Sequence, residues 1–274
     1  MRKNKDMLLI FTGISVAIIL LFPFYWMFVT SIKPSAEIIT KPPLLIPKNP
    51  TLESYSVAFT EGSIGRYLQN SFIIASFTTM ITITLGVLAA YGLARFRIKG
   101  LTFFISILLI SQLLPDVSLV LPLFIIFNRL GLLNTYLSVI LANVMLWLPF
   151  AILILRPYFL MFPKALEDAA RIDGCTFLGA FRRVILPLAL PAIMVSSILT
   201  FLFAWGEFVF ALTFLTKAEL RPITIGIYNA IGQYGIKYND LMAYAVVAIA
   251  PIIIIFVSLQ KYIRSGLVIG GIKG

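Results

Sequence analysis

The chain has 274 residues, of which 60% are hydrophobic and only 12% are charged, whereas an ordinary soluble domain has about 45–50% and about 25%. A soluble fold of this length could not bury so much apolar surface, so the composition excludes a water-soluble globular protein and predicts an integral membrane protein. With no histidine and a single cysteine, the sequence also excludes imidazole bases, histidine metal ligands and internal disulfides. The net charge of +11 needs no nucleic-acid partner, because the loops on one side of a membrane protein collect lysine and arginine.

Six apolar segments are each long enough to cross a bilayer, which takes about 20 helical residues. We predict a helix for each, because backbone polar groups in lipid must be paired within their own segment. The predicted spans are 8–31, 68–94, 101–128, 132–155, 185–213 and 241–260. The expected fold class is therefore all-α, with six transmembrane helices, and residues 1–274 are expected to form one transmembrane domain.

The distribution of lysine and arginine between the loops predicts the orientation. Most of them lie at the N-terminus, in the loops after the second and fourth spans, and at the C-terminus. Because cytoplasmic loops carry the excess of these residues, both termini are expected in the cytoplasm and the chain in the cell (plasma or inner) membrane.

Two loops on the opposite side are longer than a simple connection requires. Residues 33–66 include the stretch KPPLLIPKNP, whose prolines favour an extended path, and residues 217–240 combine glycines with tyrosines. Both compositions suit a surface that contacts a partner, and equally an ordinary solvated loop.

The loop between the fourth and fifth spans, residues 163–184, has the pattern of two short helices joined by a glycine turn. Pro163 fits the first helical position, and Gly174 is suited to end the first helix. Glu167 and Asp168 lie early in that helix, where the helix dipole favours acidic side chains.

The first of these short helices combines small and acidic residues. Ala169, Ala170 and Asp173 share one face by helical spacing, and the alanines would let another protein's backbone come close. The carboxylates of Glu167, Asp168 and Asp173 would attract a basic partner. The alternative is an amphipathic connector that lies on the membrane surface.

The segment EDAARIDGCTFLGAFRRVILPLALP resembles the "EAA…G" coupling loop of permease subunits in binding-protein-dependent ATP-binding cassette (ABC) importers. The resemblance extends along nearly the whole chain to the carbohydrate importers of the maltose and trehalose type. The other matching stretches are PFYWMFVTSIKPSAEI (23–38), NS (70–71), AAYGLARFRIKG (89–100), PLFIIFNRLGLLNT (122–135), LPFAILILRPYF (148–159), AWGEFVFAL (204–212) and GLVIGGIKG (266–274). Their order and spacing together make the resemblance specific.

The resemblance implies a permease subunit that pairs with a homologous second permease to form the path for a sugar such as maltose or trehalose. Two separate ATPase subunits would use ATP and Mg²⁺, an extracytoplasmic binding protein would deliver the sugar, and this chain would itself bind no cofactor or metal. The sequence contains no GxxxxGK[ST] phosphate-binding loop, so we do not expect an enzyme. The residues implied in ATPase contact are Glu167, Asp168, Ala169, Ala170, Asp173 and Gly174 in the loop and Gly270 and Gly271 in the tail.

Two positions depart from the family pattern. Asp168 stands where the family usually has Glu, so its carboxylate reaches less far, and the neighbouring Glu167 leaves open which of the two pairs with the ATPase. Gly206 stands before Glu207 where the family commonly has Asn.

Three polar residues within the predicted spans are candidates for the substrate path. Asp116 and Glu207 qualify because carboxylates in lipid usually face a cavity or a partner. Asp116 lies between Pro115 and Pro122, which can interrupt the helix, and its alternative is contact with water at the outer surface. The alternative for Glu207 is a hydrogen bond to a neighbouring helix or subunit, and the alternative for Asn143 is helix–helix contact.

Two other classes of protein compete with the importer. A membrane-embedded hydrolase would need a nucleophile–base pair or a metal cluster, and only an Asp116–Glu207 dyad is left for that chemistry. A secondary transporter would work without an ATPase and would show paired repeats with broken helices, and no internal repeat is visible. Within the importer family, the alternative is a permease for a related solute such as glycerol phosphate.

Overall fold

The computed structural model describes residues 2–60, 62–232 and 235–271. The helices of the first half are α1 (Arg2–Ser31), α2 (Ser35–Ile38), α3 (Glu53–Thr60), α4 (Ile64–Arg95), α5 (Leu101–Ser111), α6 (Asp116–Arg129) and α7 (Tyr136–Met161). Those of the second half are α8 (Ala165–Ile172), α9 (Phe177–Ala180), α10 (Leu186–Trp205), α11 (Val209–Phe214), α12 (Ile223–Asn229) and α13 (Tyr238–Gly271), with a π-helical turn at Phe181–Ile185 and a 3₁₀ turn at Ala218–Leu220. Strands β1 (Ile231–Gly232) and β2 (Gly235–Ile236) form a short antiparallel ladder.

The predicted all-α membrane fold is confirmed. Within the described ranges, five helices are long and apolar enough to cross a membrane, and a sixth span is present if α5 and α6 together count as one. The five are Leu9–Ser31, Ile64–Arg95, Tyr136–Met161, Phe177–Trp205 and Tyr238–Ser258.

The third predicted span, 101–128, is not one straight helix. The axes of α5 and α6 differ by 97° across a break of four residues that ends at Pro115. Proline lacks a backbone N–H and disfavours helical geometry in the preceding residue, so the first helix stops before it. Asp116 therefore begins α6 instead of lying inside one continuous helix.

The fifth span differs from the prediction at both ends. Helix continues without a gap from α9 through the π-helical turn into α10, so the second short helix and the span predicted from residue 185 form one helix. The wider turn precedes Pro187, a position where the helix lacks one N–H donor. At the other end α10 stops at Trp205, so the predicted span 185–213 is split between α10 and α11.

The last helix is longer than the predicted span 241–260. Because α13 extends to Gly271, Gly270 and Gly271 lie in its final turn and not in a non-helical tail. Residues 272–274 of the predicted tail lie outside the described residues.

The chain divides into two compact units, Met1–Arg66 with Ile223–Pro251 and Tyr67–Pro222 with Ile252–Gly274. In the first unit, the proline-rich segment after α1 is bonded to its surroundings. The Tyr25 hydroxyl donates to the Leu45 carbonyl at 2.8 Å, and the buried Glu37 carboxylate accepts the backbone N–H groups of Lys48 and Asn49 at 2.9 and 3.1 Å. These bonds hold an extended segment in place without regular secondary structure.

The core of the second unit joins α4, α7, the π-helical turn and α10. Its buried side chains are Val87, Ala90, Tyr91, Ile152, Leu155, Phe159, Phe181, Ile185, Ala189 and Ala192. Three of these ten residues are alanines, small side chains of the kind that let helices pack closely within membranes. Because this core includes the residues that flank 163–184 on both sides, it fixes the base from which α8 and α9 project.

Candidate functional site

The segment 163–184, called the coupling segment below, consists of α8, a glycine turn, α9 and most of the π-helical turn that follows α9. Gly174 has φ +88°, a left-handed conformation that glycine adopts without strain, and it ends α8. The Cys175 N–H closes the turn on the Ala170 carbonyl at 2.9 Å. Thr176 then caps α9, its hydroxyl oxygen accepting the Gly179 N–H at 3.1 Å.

The Glu167 side chain points toward α4 of the same chain and away from solvent. It is buried, its carboxylate forms an ion pair with Arg95 at the end of α4, and it accepts a hydrogen bond from the Tyr91 hydroxyl at 3.0 Å. Arg95 also donates to the Phe162 carbonyl at 3.1 Å, just before the coupling segment begins. These contacts, called the α4–α8 latch below, attach α8 to α4 and leave the Glu167 carboxylate engaged within the chain.

Tyr91 gives the latch an aromatic support. Its ring centroid lies 4.4 Å from that of Phe181 and 5.7 Å from that of Phe159, so one side chain contacts the π-helical turn and α7 while its hydroxyl bonds Glu167. The Arg95 guanidinium lies 5.9 Å from the centroid of the same ring. The charged and aromatic contacts around Tyr91 therefore connect α4, α7, α8 and the π-helical turn that precedes α10.

Asp168, the residue next to Glu167, points about 100° away from it around α8 and is exposed. It lines an open groove of about 510 Å³, whose other lining residues are Arg171, Ile172, Cys175, Thr176 and Phe177. Ile172 in this lining is 86% exposed. The groove thus combines a carboxylate with an uncovered apolar side chain.

The coupling residues predicted from sequence separate into two groups. Asp168, Ala169, Asp173 and Gly174 are exposed, whereas Glu167 and Ala170 are buried against the chain itself. The expected common face of Ala169, Ala170 and Asp173 is therefore divided, because α8 docks on the core through the Glu167 and Ala170 side.

A second cluster of polar groups lies where α5 and α6 meet at their bend. Asp116 is exposed and lines a small cavity of about 70 Å³. The remaining lining residues are Ser111, Gln112, Leu114, Leu146 and Trp147. Gln112 donates to the Leu146 carbonyl of α7 at 3.1 Å, so the break is tied to the neighbouring helix while Asp116 stays accessible.

Asn143 acts within α7 and does not line this cavity. It is fully buried, its amide donates to the Val139 carbonyl at 2.9 Å, and its oxygen accepts the Trp147 indole N–H at 3.3 Å. The Trp147 ring stacks on Phe203 of α10 with centroids 4.2 Å apart. The sequence analysis did not select Gln112 or Trp147 as candidate site residues. Trp147 could have been found from its position four residues after Asn143, which places both on one face of the helix.

Glu207 caps the helix that follows it. Its carboxylate oxygens accept the backbone N–H groups of Phe210 and Ala211, the latter at 3.0 Å, at the start of α11. A carboxylate in this position satisfies N–H groups that have no partner within the helix and interacts favourably with the helix dipole. The cavity at Asp116 does not include Glu207 among its lining residues.

Helices long and apolar enough to cross a membrane, joined by an exposed pair of short helices at a glycine turn, form the arrangement expected of a permease subunit of an ABC importer. The chain belongs to the family of inner membrane components of binding-protein-dependent transport systems, whose sequence profile matches residues 82–268. The resemblance stated from the sequence is thus confirmed, and the chain is a membrane-embedded transport permease and not an enzyme.

The similarity to individual relatives extends over almost the whole chain. It is 40% identical over 254 residues to the sulfoquinovosyl glycerol transport system permease protein of Agrobacterium fabrum, covering 93% of this chain and 89% of that one. It is 38% identical over 273 residues to the trehalose/maltose transport system permease protein of Thermococcus litoralis, covering 98% of both. A chain of a bacterial ABC transporter involved in alginate import has the same fold, with a TM-score of 0.80 at 23% identity over 96% of this chain and 97% of that one.

Proposed function

We propose that this permease imports a glycoside in an ATP-driven transporter. The cargoes named for the two relatives, sulfoquinovosyl glycerol and trehalose or maltose, are glycosides, and the similarity covers the full length of the membrane region. A homologous second permease would complete the path, an extracytoplasmic binding protein would deliver the sugar, and two separate ATPase subunits would use ATP and Mg²⁺. Both termini would lie in the cytoplasm, as the loop charges suggest.

Coupling to the ATPase is assigned to Asp168 and its surroundings, and not to Glu167. The observation that carries this assignment is that one of two adjacent carboxylates is buried and the other is exposed. Glu167 is buried in the α4–α8 latch, whereas Asp168 is exposed beside Ile172. A basic ATPase side chain would therefore pair with Asp168, and the latch would transmit the displacement of α8 to the membrane helices.

Gly270 and Gly271 are proposed as a second contact with the ATPase subunits. They lie in the last turn of α13, beyond the last span predicted from the sequence, 241–260. A helix that continues past the membrane brings this end of the chain to the side where the ATPase is expected.

The cargo path is assigned to the cluster at the bend between α5 and α6. Asp116 and Gln112 offer hydrogen-bonding groups and Trp147 offers an aromatic ring, which together suit the hydroxyls and the apolar faces of a sugar. Asn143 would contribute indirectly by orienting Trp147, and Glu207 by holding α11.

The test is uptake of candidate glycosides by the complete transporter in proteoliposomes with its binding protein. Asp168→Lys should abolish ATP-dependent uptake and the accompanying ATP hydrolysis, whereas Asp6→Lys, which reverses an exposed charge elsewhere, should leave both unchanged. If Asp168→Lys transports normally, the coupling assignment is wrong. Uptake that persists without the ATPase subunits would instead identify a secondary transporter.

A further inference from the structure

A cavity of about 410 Å³ lies at the C-terminal end of α1, within the first unit. Apolar side chains such as Ile39 form much of its wall, and Trp26 and Tyr238 add aromatic surface. Two lysines, Lys33 and Lys41, line it as well, and no acidic residue does. The cavity therefore combines positive charge with an apolar wall.

Lys33 has less compensation than a buried ammonium group normally requires. It is 2% exposed, its Nζ donates to the Leu44 carbonyl at 2.6 Å, and it lies 4.3 Å from the Trp26 ring centroid. No carboxylate of the described part of the chain lies within ion-pair distance of it, and the nearby Glu37 carboxylate is bonded to backbone N–H groups instead. Burying an ammonium without a counterion is costly, so an anion in the cavity would stabilise it.

The cavity also contains polar groups that lack partners. Thr30 is 6% exposed, and its hydroxyl has no hydrogen-bond partner among the described residues. The Thr40 hydroxyl is likewise buried and unpaired there. Buried hydroxyls are nearly always hydrogen-bonded, so two unpaired ones beside a lysine point to a missing oxygen-rich acceptor.

The position of the cavity indicates the source of that acceptor. The apolar window of α1 is uncovered along its length within the first unit, and Trp26 lies near its C-terminal end, the level at which aromatic residues meet the membrane–water interface. Phosphate groups of lipids lie at this depth, and lysine ammonium groups form charge-assisted hydrogen bonds to phosphate.

We propose that this cavity binds the phosphate of an anionic membrane phospholipid. Lys33 and Lys41 would face the phosphate, the Thr30 hydroxyl would donate to it, and the apolar wall around Ile39 would contact the start of an acyl chain. This site is separate from the coupling segment and from the cargo path, so the proposal does not depend on either.

The experiment is native mass spectrometry of the complete detergent-purified transporter, titrated with phosphatidylglycerol or with phosphatidylcholine of the same acyl chains. The variants are Lys41→Gln and Thr30→Val, because Lys41 is exposed and the Thr30 hydroxyl has no hydrogen-bond partner among the described residues, so their loss should not disturb the fold. Phosphatidylglycerol should bind more tightly than phosphatidylcholine, and each variant should weaken it about tenfold, the effect of one hydrogen bond to a charged group. Lys48→Gln, an exposed lysine of the same segment outside the cavity, is the matched control and should bind normally.

Three results would overturn the proposal. The first is equal binding of the two lipids, or unchanged binding by both variants. The second is displacement of phosphatidylglycerol by an equal concentration of inorganic phosphate, which would identify a site for a free anion. The third is loss of the second permease from the Lys41→Gln complex, which would identify the cavity as a protein interface.

Discussion

Replacing Glu167 with leucine should release α8 from the rest of the permease. The change leaves the Arg95 guanidinium buried without its counterion and the Tyr91 hydroxyl without its acceptor. The side chains of Arg95 and Glu167 are only 6% and 9% exposed, so solvent cannot replace the lost partner. Removing one member of a buried ion pair costs about 3–5 kcal/mol, whereas Tyr91→Phe, which deletes only one hydrogen bond, should cost about 1 kcal/mol.

Hydrogen–deuterium exchange of the α8 amides in the intact transporter measures this local cost. A loss of about 3 kcal/mol corresponds to exchange faster by about 100-fold or more. Arg95→Met combined with Glu167→Leu should recover part of the protection, because no buried charge is then left unpaired. Asp168→Asn is the matched control, since it changes the adjacent exposed carboxylate and should leave exchange nearly unaltered.

The reasoning is refuted if Glu167→Leu exchanges no faster than Asp168→Asn. It is also refuted if the double variant loses the sum of the two single losses, because partners in one ion pair must show a coupling energy. Tyr91→Phe should fall between the control and Glu167→Leu. A larger effect of Tyr91→Phe than of Glu167→Leu would contradict the assignment of most of the latch energy to the ion pair, because phenylalanine keeps the ring contacts and removes only the hydroxyl.

Three further predictions concern the proposed function. Gly174→Pro should abolish ATP-dependent uptake while membrane abundance stays normal, because proline cannot adopt φ +88°, and normal uptake would contradict the role of this turn. Deleting residues 269–274 should lower transport-coupled ATP hydrolysis per assembled complex, and an unchanged rate would remove the tail from the ATPase contact. Asn143→Leu should raise the KM for the glycoside by freeing the Trp147 indole, and Trp147→Phe should show the same rise; if only Asn143→Leu does, Asn143 acts on packing and not through Trp147.

The sequence predicted the membrane fold because a length of about 20 apolar residues is a local property. It could not predict the 97° bend between α5 and α6, because Pro115 permits a break while the angle depends on packing that is distant in sequence. The same limit applies to Gly206, where α10 ends although the apolar run continues. The prolines thus indicated a possible break beside Asp116, whereas the end of α10 before Gly206 was not predicted.

Glu167 and Asp168 show the limit at the level of single residues. Adjacent side chains on a helix point about 100° apart, so only one of two neighbouring carboxylates can face the core. Which one does so depends on Arg95, 72 positions earlier in the chain, and no local pattern contains that information. The α4–α8 latch therefore could not be predicted from the sequence. The resemblance to the family identified the segments that contain Tyr91, Arg95 and Glu167, but not the contacts between them.

The uninterrupted helix from Phe177 to Trp205 limits where residues can be inserted into the chain or deleted from it. These 29 residues extend about 44 Å at 1.5 Å per residue, from the coupling segment to the level of the α11 cap. Adding or deleting one residue within it would turn all side chains beyond that point by about 100° relative to α9, moving the Phe203 ring away from Trp147. Insertions that the long loops tolerate should therefore be excluded from this helix, because the rotation of α10 relative to α9 sets which of its side chains face α7.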